Sequence, residues 1–155
     1  MEKLNEDAIR SLKQLCEINE VRVKGYQKAV DMIKNTNSKK YFQVRINETN
    51  NLTDCINRSI EGVSFEKIKQ NKIERTQIHQ SQFYFTMAAA STNPRTVALS
   101  CQLGDKFAEK AYASALNIIQ LLSFPELLKV LGKQVSSLRK SFETTQEAFD
   151  LAFVY

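Results

Sequence analysis

Apolar residues recur at alternating steps of three and four along four long stretches of this chain, and that rhythm restricts the possible folds more than any other feature. In the first stretch the stripe runs through Ile9, Leu12, Cys16, Asn19, Val23, Tyr26, Val30 and Ile33, with Asn19 its one strongly polar member. Residues three and four apart share one face of an α-helix, so such a stripe predicts a helix with one seam facing its neighbours. The first helix is expected from an N-cap at Asn5 to about Ile33. A turn at Asn35-Thr36-Asn37-Ser38 follows, with Ser38 or Asn37 as the next cap. The second helix is expected over about 39–61, with a seam of Phe42, Ile46, Thr49, Thr53, Ile56 and Ile60, and Gly62 at its C-terminal cap. So short a turn makes the first two helices antiparallel neighbours.

Residues 64–92 read as a third helix, capped by Ser64. It is charged at first, then apolar on several sides through Phe83, Tyr84, Phe85, Met87 and Ala88–Ala90. Asn93-Pro94 is a helix start, because proline at the first helical position loses no hydrogen bond and Asn93 can cap it. The fourth helix then runs to about Leu122 on Val97, Cys101, Gly104, Ala108, Ala111, Ala115, Ile118 and Leu122. Its small central residues allow a neighbouring backbone to come close. Ser123-Phe124-Pro125-Glu126 combines a proline start with a capping box. It opens a fifth helix to about Phe149, seamed by Leu128, Leu131, Val135, Leu138, Phe142, Thr145 and Phe149.

Helices of about 27 residues are about 40 Å long, and the three-four stripe suits near-parallel bundle packing. The third segment is long enough to carry the chain from one end of a bundle back to the other. The expected fold is therefore all-α: one domain over 1–155, an up-down-down-up four-helix bundle with a helical crossover between the second and third bundle helices.

Composition removes other classes. Four glycines and two prolines in 155 residues cannot supply the tight turns of a sandwich or barrel. No apolar run reaches the ~18 residues of a membrane span. The opening Met1–Glu6 does not read as a signal peptide, and a cytoplasmic location is the expectation. The net charge of +5 is spread along the chain. Its densest basic stretch, Lys67, Lys69, Lys72 and Arg75, is interrupted by Glu66 and Glu74. A solvated helix face is favoured there over nucleic-acid binding. Cys16, Cys55 and Cys101 lack metal-site spacing and fall on or near apolar stripes, so they read as reduced core thiols. The familiar glycine-rich nucleotide fingerprints are absent.

Three strings resemble a bacterial ferritin-like four-helix-bundle family known as a domain of unknown function. They are Gly25-Tyr26-x-x-Ala29, Cys101-x-x-Gly104-Asp105-x-x-Ala108-x-x-x-Tyr112-x-x-Ala115-Leu116, and Pro125-Glu126-Leu127 with Gln134. His79 lies in the third segment. The resemblance covers nearly the whole chain and implies the ferritin-like fold without an established activity. This chain departs from the family at Gly104-Asp105-Lys106, where Gly-Glu-Asp is usual. It departs again at Gln80-Ser81-Gln82, where Arg-x-Trp tends to follow the histidine.

Di-iron bundles use two single glutamates plus two Glu-x-x-His pairs, all pointing inward. Here Glu48 is followed at that spacing by Asn51, and Glu143 by Gln146, so both imidazoles are missing. Glu20 and Glu109 are the single carboxylates. Glu20, Glu48, Glu109 and Glu143 are thus the candidate metal ligands, should iron or manganese bind. All four flank the core stripe, and a flanking glutamate ordinarily faces water or a lysine. The favoured reading has no cofactor and no catalytic residue. Asn19, Tyr26, His79 and Tyr112 are read as structural polar groups: Asn19 as a register-fixing polar residue on the seam, His79 as a hydrogen-bonded histidine, the tyrosines as buried rings with tethered hydroxyls. The expected function is a structural, stress-related or protein-interaction role. The apolar 83–90 stretch and the 149–155 tail are the candidate contact surfaces for a homodimer or another protein.

Overall fold

A computed structural model describes the backbone of residues 6–60, 72–117 and 124–154, and the side chains of 8–60, 76–117 and 124–141. The described residues form five helices: α1 Glu6–Met32, α2 Thr36–Ser59, α3 Lys72–Ala90, α4 Pro94–Leu116 and α5 Pro125–Val154. No described helix is long and apolar enough to cross a membrane.

The helix ends follow local chemistry. Asn93 caps α4 through its side-chain oxygen, which accepts from the Thr96 N–H at 3.1 Å, and Pro94 opens the first turn. At α2 the expected cap was one turn too late. Asn35, rather than Asn37 or Ser38, accepts from the Ser38 N–H at 3.1 Å, and the helix begins at Thr36. Any of these short polar side chains can cap; using the first of them adds a turn of helix. Helix α4 is described to Leu116, after which the Asn117 N–H tightens onto the Ser114 carbonyl at 3.1 Å; Ile118 and Leu122 of the expected seam lie outside the described residues. Helix α5 runs beyond Phe149 to Val154. Asn5, Gly62, Ser64 and Ser123 lie outside the described residues.

Helix α1 packs on α2, α3 and α4, while α5 packs on α2 and α4, and α3 lies along both α1 and α4. Asn19 meets Thr53, and Tyr26 lies by Phe42, so α1 and α2 are antiparallel. Tyr112 meets Asn19, and Asp105 meets Tyr26, so α1 and α4 are antiparallel as well.

Two apolar clusters fill the interior. One collects Leu12, Leu15 and Ile18 of α1, Leu52 and Ile56 of α2, Tyr112 of α4, and Leu127, Leu131 and Leu138 of α5. The other collects Tyr26, Ala29, Phe42, Phe85, Val97 and Cys101. The expected seams of α2 and α4 run through these clusters. On α1 the expected Ile9, Leu12, Asn19, Tyr26 and Ile33 are buried, while the three positions between them are displaced by one residue. Leu15, Arg22 and Ala29 are buried where Cys16, Val23 and Val30 were expected, and those three are only half-buried. The stripe centre thus passes through a charged residue, which hydrophobic periodicity does not count.

The small residues of α4 admit a ring. Phe85 of α3 is fully buried between Gly25 and Gly104. A Cβ at Gly104 would lie 2.6 Å from the ring, and one at Gly25 would lie 3.0 Å from it. Ser81 Oγ also donates to the Gly104 carbonyl at 2.9 Å. A Cβ at Gly132 would meet nothing within 4 Å. Opposite outcomes are expected from one substitution. Gly104→Ala should lose about 1–3 kcal/mol through overpacking. Gly132→Ala should gain up to about 1 kcal/mol from helix propensity. Urea denaturation of both variants checks this, and a Gly104→Ala protein as stable as the parent would contradict the packing described.

Candidate functional site

A set of buried polar residues converges between the two apolar clusters. Arg22 has no exposed surface. A desolvated guanidinium is tolerated only when its charge and its donors are met. Two tyrosines and an aspartate meet them. Nε and Nη2 donate to the Tyr26 hydroxyl at 2.9 and 2.6 Å, and Nη1 donates to the Tyr112 hydroxyl at 2.9 Å. The Asp105 carboxylate lies 3.6 Å from Nε.

Each hydroxyl that accepts from Arg22 passes its own proton onward. Tyr26 donates to Asp105 Oδ1, and Tyr112 donates to Asn19 Oδ1. Asn19 Nδ2 then donates to Thr53 Oγ1 at 2.9 Å, which donates to the Thr49 carbonyl at 3.0 Å. Thr49 Oγ1 donates to the Arg45 carbonyl at 2.6 Å. The relay crosses from α4 through α1 into α2.

A second cation sits at its far end. Arg45 of α2 is buried to 5 % exposure. Its Nη1 donates to Glu48 at 2.8 Å and to Ser137 Oγ of α5, and Nη2 reaches the Ser137 carbonyl at 3.3 Å. Ser137 Oγ and Gln134 Nε2 donate to Glu48 in turn. Four helices are therefore joined through polar contacts: α1 by Asn19, Arg22 and Tyr26, α4 by Asp105 and Tyr112, α2 by Arg45 to Thr53, and α5 by Gln134 and Ser137.

Burial sets the proton affinities. It raises the Asp105 carboxyl above the ordinary aspartate value, although Arg22, the Tyr26 hydroxyl and Arg45 pull the other way. Burial opposes the charge on Arg22, but Tyr112, Tyr26 and Asp105 outweigh it and hold the guanidinium protonated. Burial pushes the Tyr26 and Tyr112 hydroxyls up, against the pull of Arg22. It also raises Cys101 well above the usual thiol value and, together with Glu17, pushes Cys16 up to about 11. These thiols are poor nucleophiles near neutrality. The assembly is a set of fixed charges and neutral hydroxyls, suited to holding a geometry.

The expected site residues fall into two groups. Asn19, Tyr26 and Tyr112 come together as buried polar groups in this network. His79 does not join them; it is exposed on α3. Of the candidate metal ligands, Glu20 is 72 % exposed and lies 3.7 Å from Lys24. Glu109 pairs with Arg139 of α5, and Glu48 pairs with Arg45. Each faces its own cation. The Glu143 side chain lies outside the described residues. Glu48 also departs from the expectation of a flanking residue turned to water, because its carboxylate is drawn into the α2–α5 contact. Among the described residues, no group of three or more His, Cys, Asp or Glu is placed to hold a metal ion.

Sequence reasoning missed Arg22, Asp105 and Arg45. A signal for Arg22 was available: it lies three residues after Asn19 and four before Tyr26, on their own stripe. No protein-family model matches the chain, and no curated protein matches it.

Stability should fall in alkaline solution. The Cys16 thiol ionises near its ordinary 9.0 in the unfolded chain but stays neutral to about 11 when folded. Its contribution is therefore complete below pH 9 and is lost as pH rises through 11. Tyr26 and Tyr112, also raised, extend the loss above pH 10. The urea midpoint should hold steady from pH 7 to 9 and then decline, with a shallower decline in Cys16→Ala. A midpoint unchanged to pH 11 would contradict these environments.

Proposed function

We propose that the chain is a ferritin-like bundle protein with a non-catalytic structural, stress-related or protein-interaction role in the cytoplasm. In this reading α1, α2, α4 and α5 are the four bundle helices. Helix α3 is the crossover, seated in the groove between α1 and α4. The contacts of α1 with α2 and α4, and of α5 with the same two helices, support it. So do the antiparallel α1–α2 and α1–α4 pairs.

Arg22 carries the functional part of the proposal. The polar layer of the bundle is built around a guanidinium of the chain itself, hydrogen-bonded at all three nitrogens and neutralised by Asp105. Glu48 and Glu109, which a metal centre would need, are engaged by Arg45 and Arg139. The interior is thus committed to holding helices together. Apolar surface remains outside, on Phe83 and Met87 of α3 and on Leu99 and Leu103 of α4, each more than a third exposed. Exposed apolar groups on adjacent helices favour contact with a second protein surface.

Elemental mass spectrometry tests the reading, on untagged protein expressed with added iron and manganese. Metal should stay far below one equivalent, and light scattering of the same sample should reveal self-association that Phe83→Ser reduces. Near-stoichiometric metal, lost in Glu48→Ala and Glu109→Ala, would replace this reading with metal storage or oxidation. A strict monomer at high concentration would remove the self-association surface.

A further inference from the structure

The outer face of α3 and α4 joins apolar surface to unmatched positive charge. Phe83 packs edge-on against Tyr84, whose ring stacks on Phe107 at 5.8 Å, and the Lys110 ammonium lies over Phe107 at 5.4 Å. An aromatic track thus crosses from α3 to α4. Arg95, Leu99, Leu103, Lys106 and Lys110 recur along α4 at steps of three and four, and all five are exposed. Residues so spaced share one side of a helix. Free carboxylates are missing there. Of the two among the described side chains of α3 and α4, Asp105 is buried beside Arg22 and Glu109 is paired with Arg139. Arg95, Lys106 and Lys110 have no ion-pair partner among the described residues.

Such a face fits an occupant that is both apolar and acidic. The chain carries one at the end of α5. Residues 142–155 hold Glu143, Glu147 and Asp150 and no lysine or arginine. Those three positions recur at steps of four and three, one stripe of a helix, and the expected α5 seam continues beside them through Phe142 and Phe149. Gln134 and Ser137 of α5 meet Glu48 and Arg45 of α2, so these helices are antiparallel. Helix α2 has nine residues before Arg45, whereas α5 has seventeen after Ser137. Helix α5 therefore outruns α2 by about two turns.

We infer that the α3–α4 face receives the α5 end of a second copy, and that two copies exchange these ends about a two-fold axis. Two reciprocal contacts close the dimer. The same face set against itself would bring cation to cation. The inference rests on the self-association read above and assigns it to two different surfaces that complement each other in charge.

Charge reversal in the full chain tests this, read by sedimentation equilibrium. One variant reverses the face through Arg95→Glu, Lys106→Glu and Lys110→Glu. The other reverses the helix end through Glu143→Lys, Glu147→Lys and Asp150→Lys. The parent should dimerise, and more weakly as salt rises. Each variant alone should dimerise at least about tenfold more weakly, because like charges meet at both contacts. An equimolar mixture of the two should form a heterodimer within about threefold of the parent affinity, since every end then meets a face of opposite charge. Parent-strength dimers in the face variant, a mixture that stays monomeric, or a parent dimer indifferent to salt would overturn the inference. If Phe83→Ser still weakens the dimer in that case, the self-association reading stands without it; a strictly monomeric parent removes both. The reversed face residues are exposed, so that variant should fold. Should the helix-end variant fail to fold, the face variant and the salt dependence decide.

Discussion

A guanidinium removed from water is the constraint around which this molecule is arranged. Transfer of an ion into a protein interior costs several kcal/mol even after relaxation. Arg22 is fully buried, so its surroundings must return that cost through well-placed partners. Asp105 supplies the opposite charge, and the two tyrosine hydroxyls accept from the guanidinium while donating outward. The polarity runs in one direction, from N–H to hydroxyl to carboxylate or amide oxygen. Such a network is satisfied in one arrangement of helices. A slip of α1 against α4 by one turn would strand Arg22 and Asp105 apart, each charged and buried.

The network therefore specifies what the apolar clusters leave open. Leucine, isoleucine and alanine pack acceptably in several registers, because dispersion and burial have little direction. Hydrogen bonds to Arg22 are directional. Phe85 adds a steric counterpart, since its ring fits only where Gly25 and Gly104 face each other across α3. Direction from the polar layer and shape from the glycine pair together seat α3 and α4 on α1. Asn19 and Thr53 extend the same control to α2. Arg45, Glu48, Gln134 and Ser137 close the far end of this chain of contacts, between α2 and α5.

Much of the architecture is legible from residues alone. Helix boundaries follow Asn93-Pro94, and the described seam residues of α4 are buried as a set. Asn19 and Tyr26 are recognisable as buried polar groups because they lie on the apolar stripe of the first helix, and Tyr112 because it lies in the string of α4 that carries the family resemblance. What stays hidden is the charge at the centre. An arginine is ordinarily a surface residue, so periodicity passes over Arg22 although it lies on the stripe. Asp105 sits one position past Gly104 of the expected α4 seam, beside Lys106, and nothing local tells that it faces inward. Its partner Tyr26 is distant in sequence, and only the folded packing joins them. The cap of α2 was misplaced for a simpler reason: Asn35, Asn37 and Ser38 are chemically equivalent as caps until tertiary contacts choose.

The central claim is that Arg22 and Asp105 act as one unit, and a double-mutant cycle on urea denaturation tests it most directly. Arg22→Met and Asp105→Asn should each cost about 3–5 kcal/mol, because each leaves a buried partner unmatched. The double variant should lose less than the sum of the two by at least about 1 kcal/mol, since it leaves no lone charge. Losses that add to within about 0.5 kcal/mol would show two independent side chains and contradict the account.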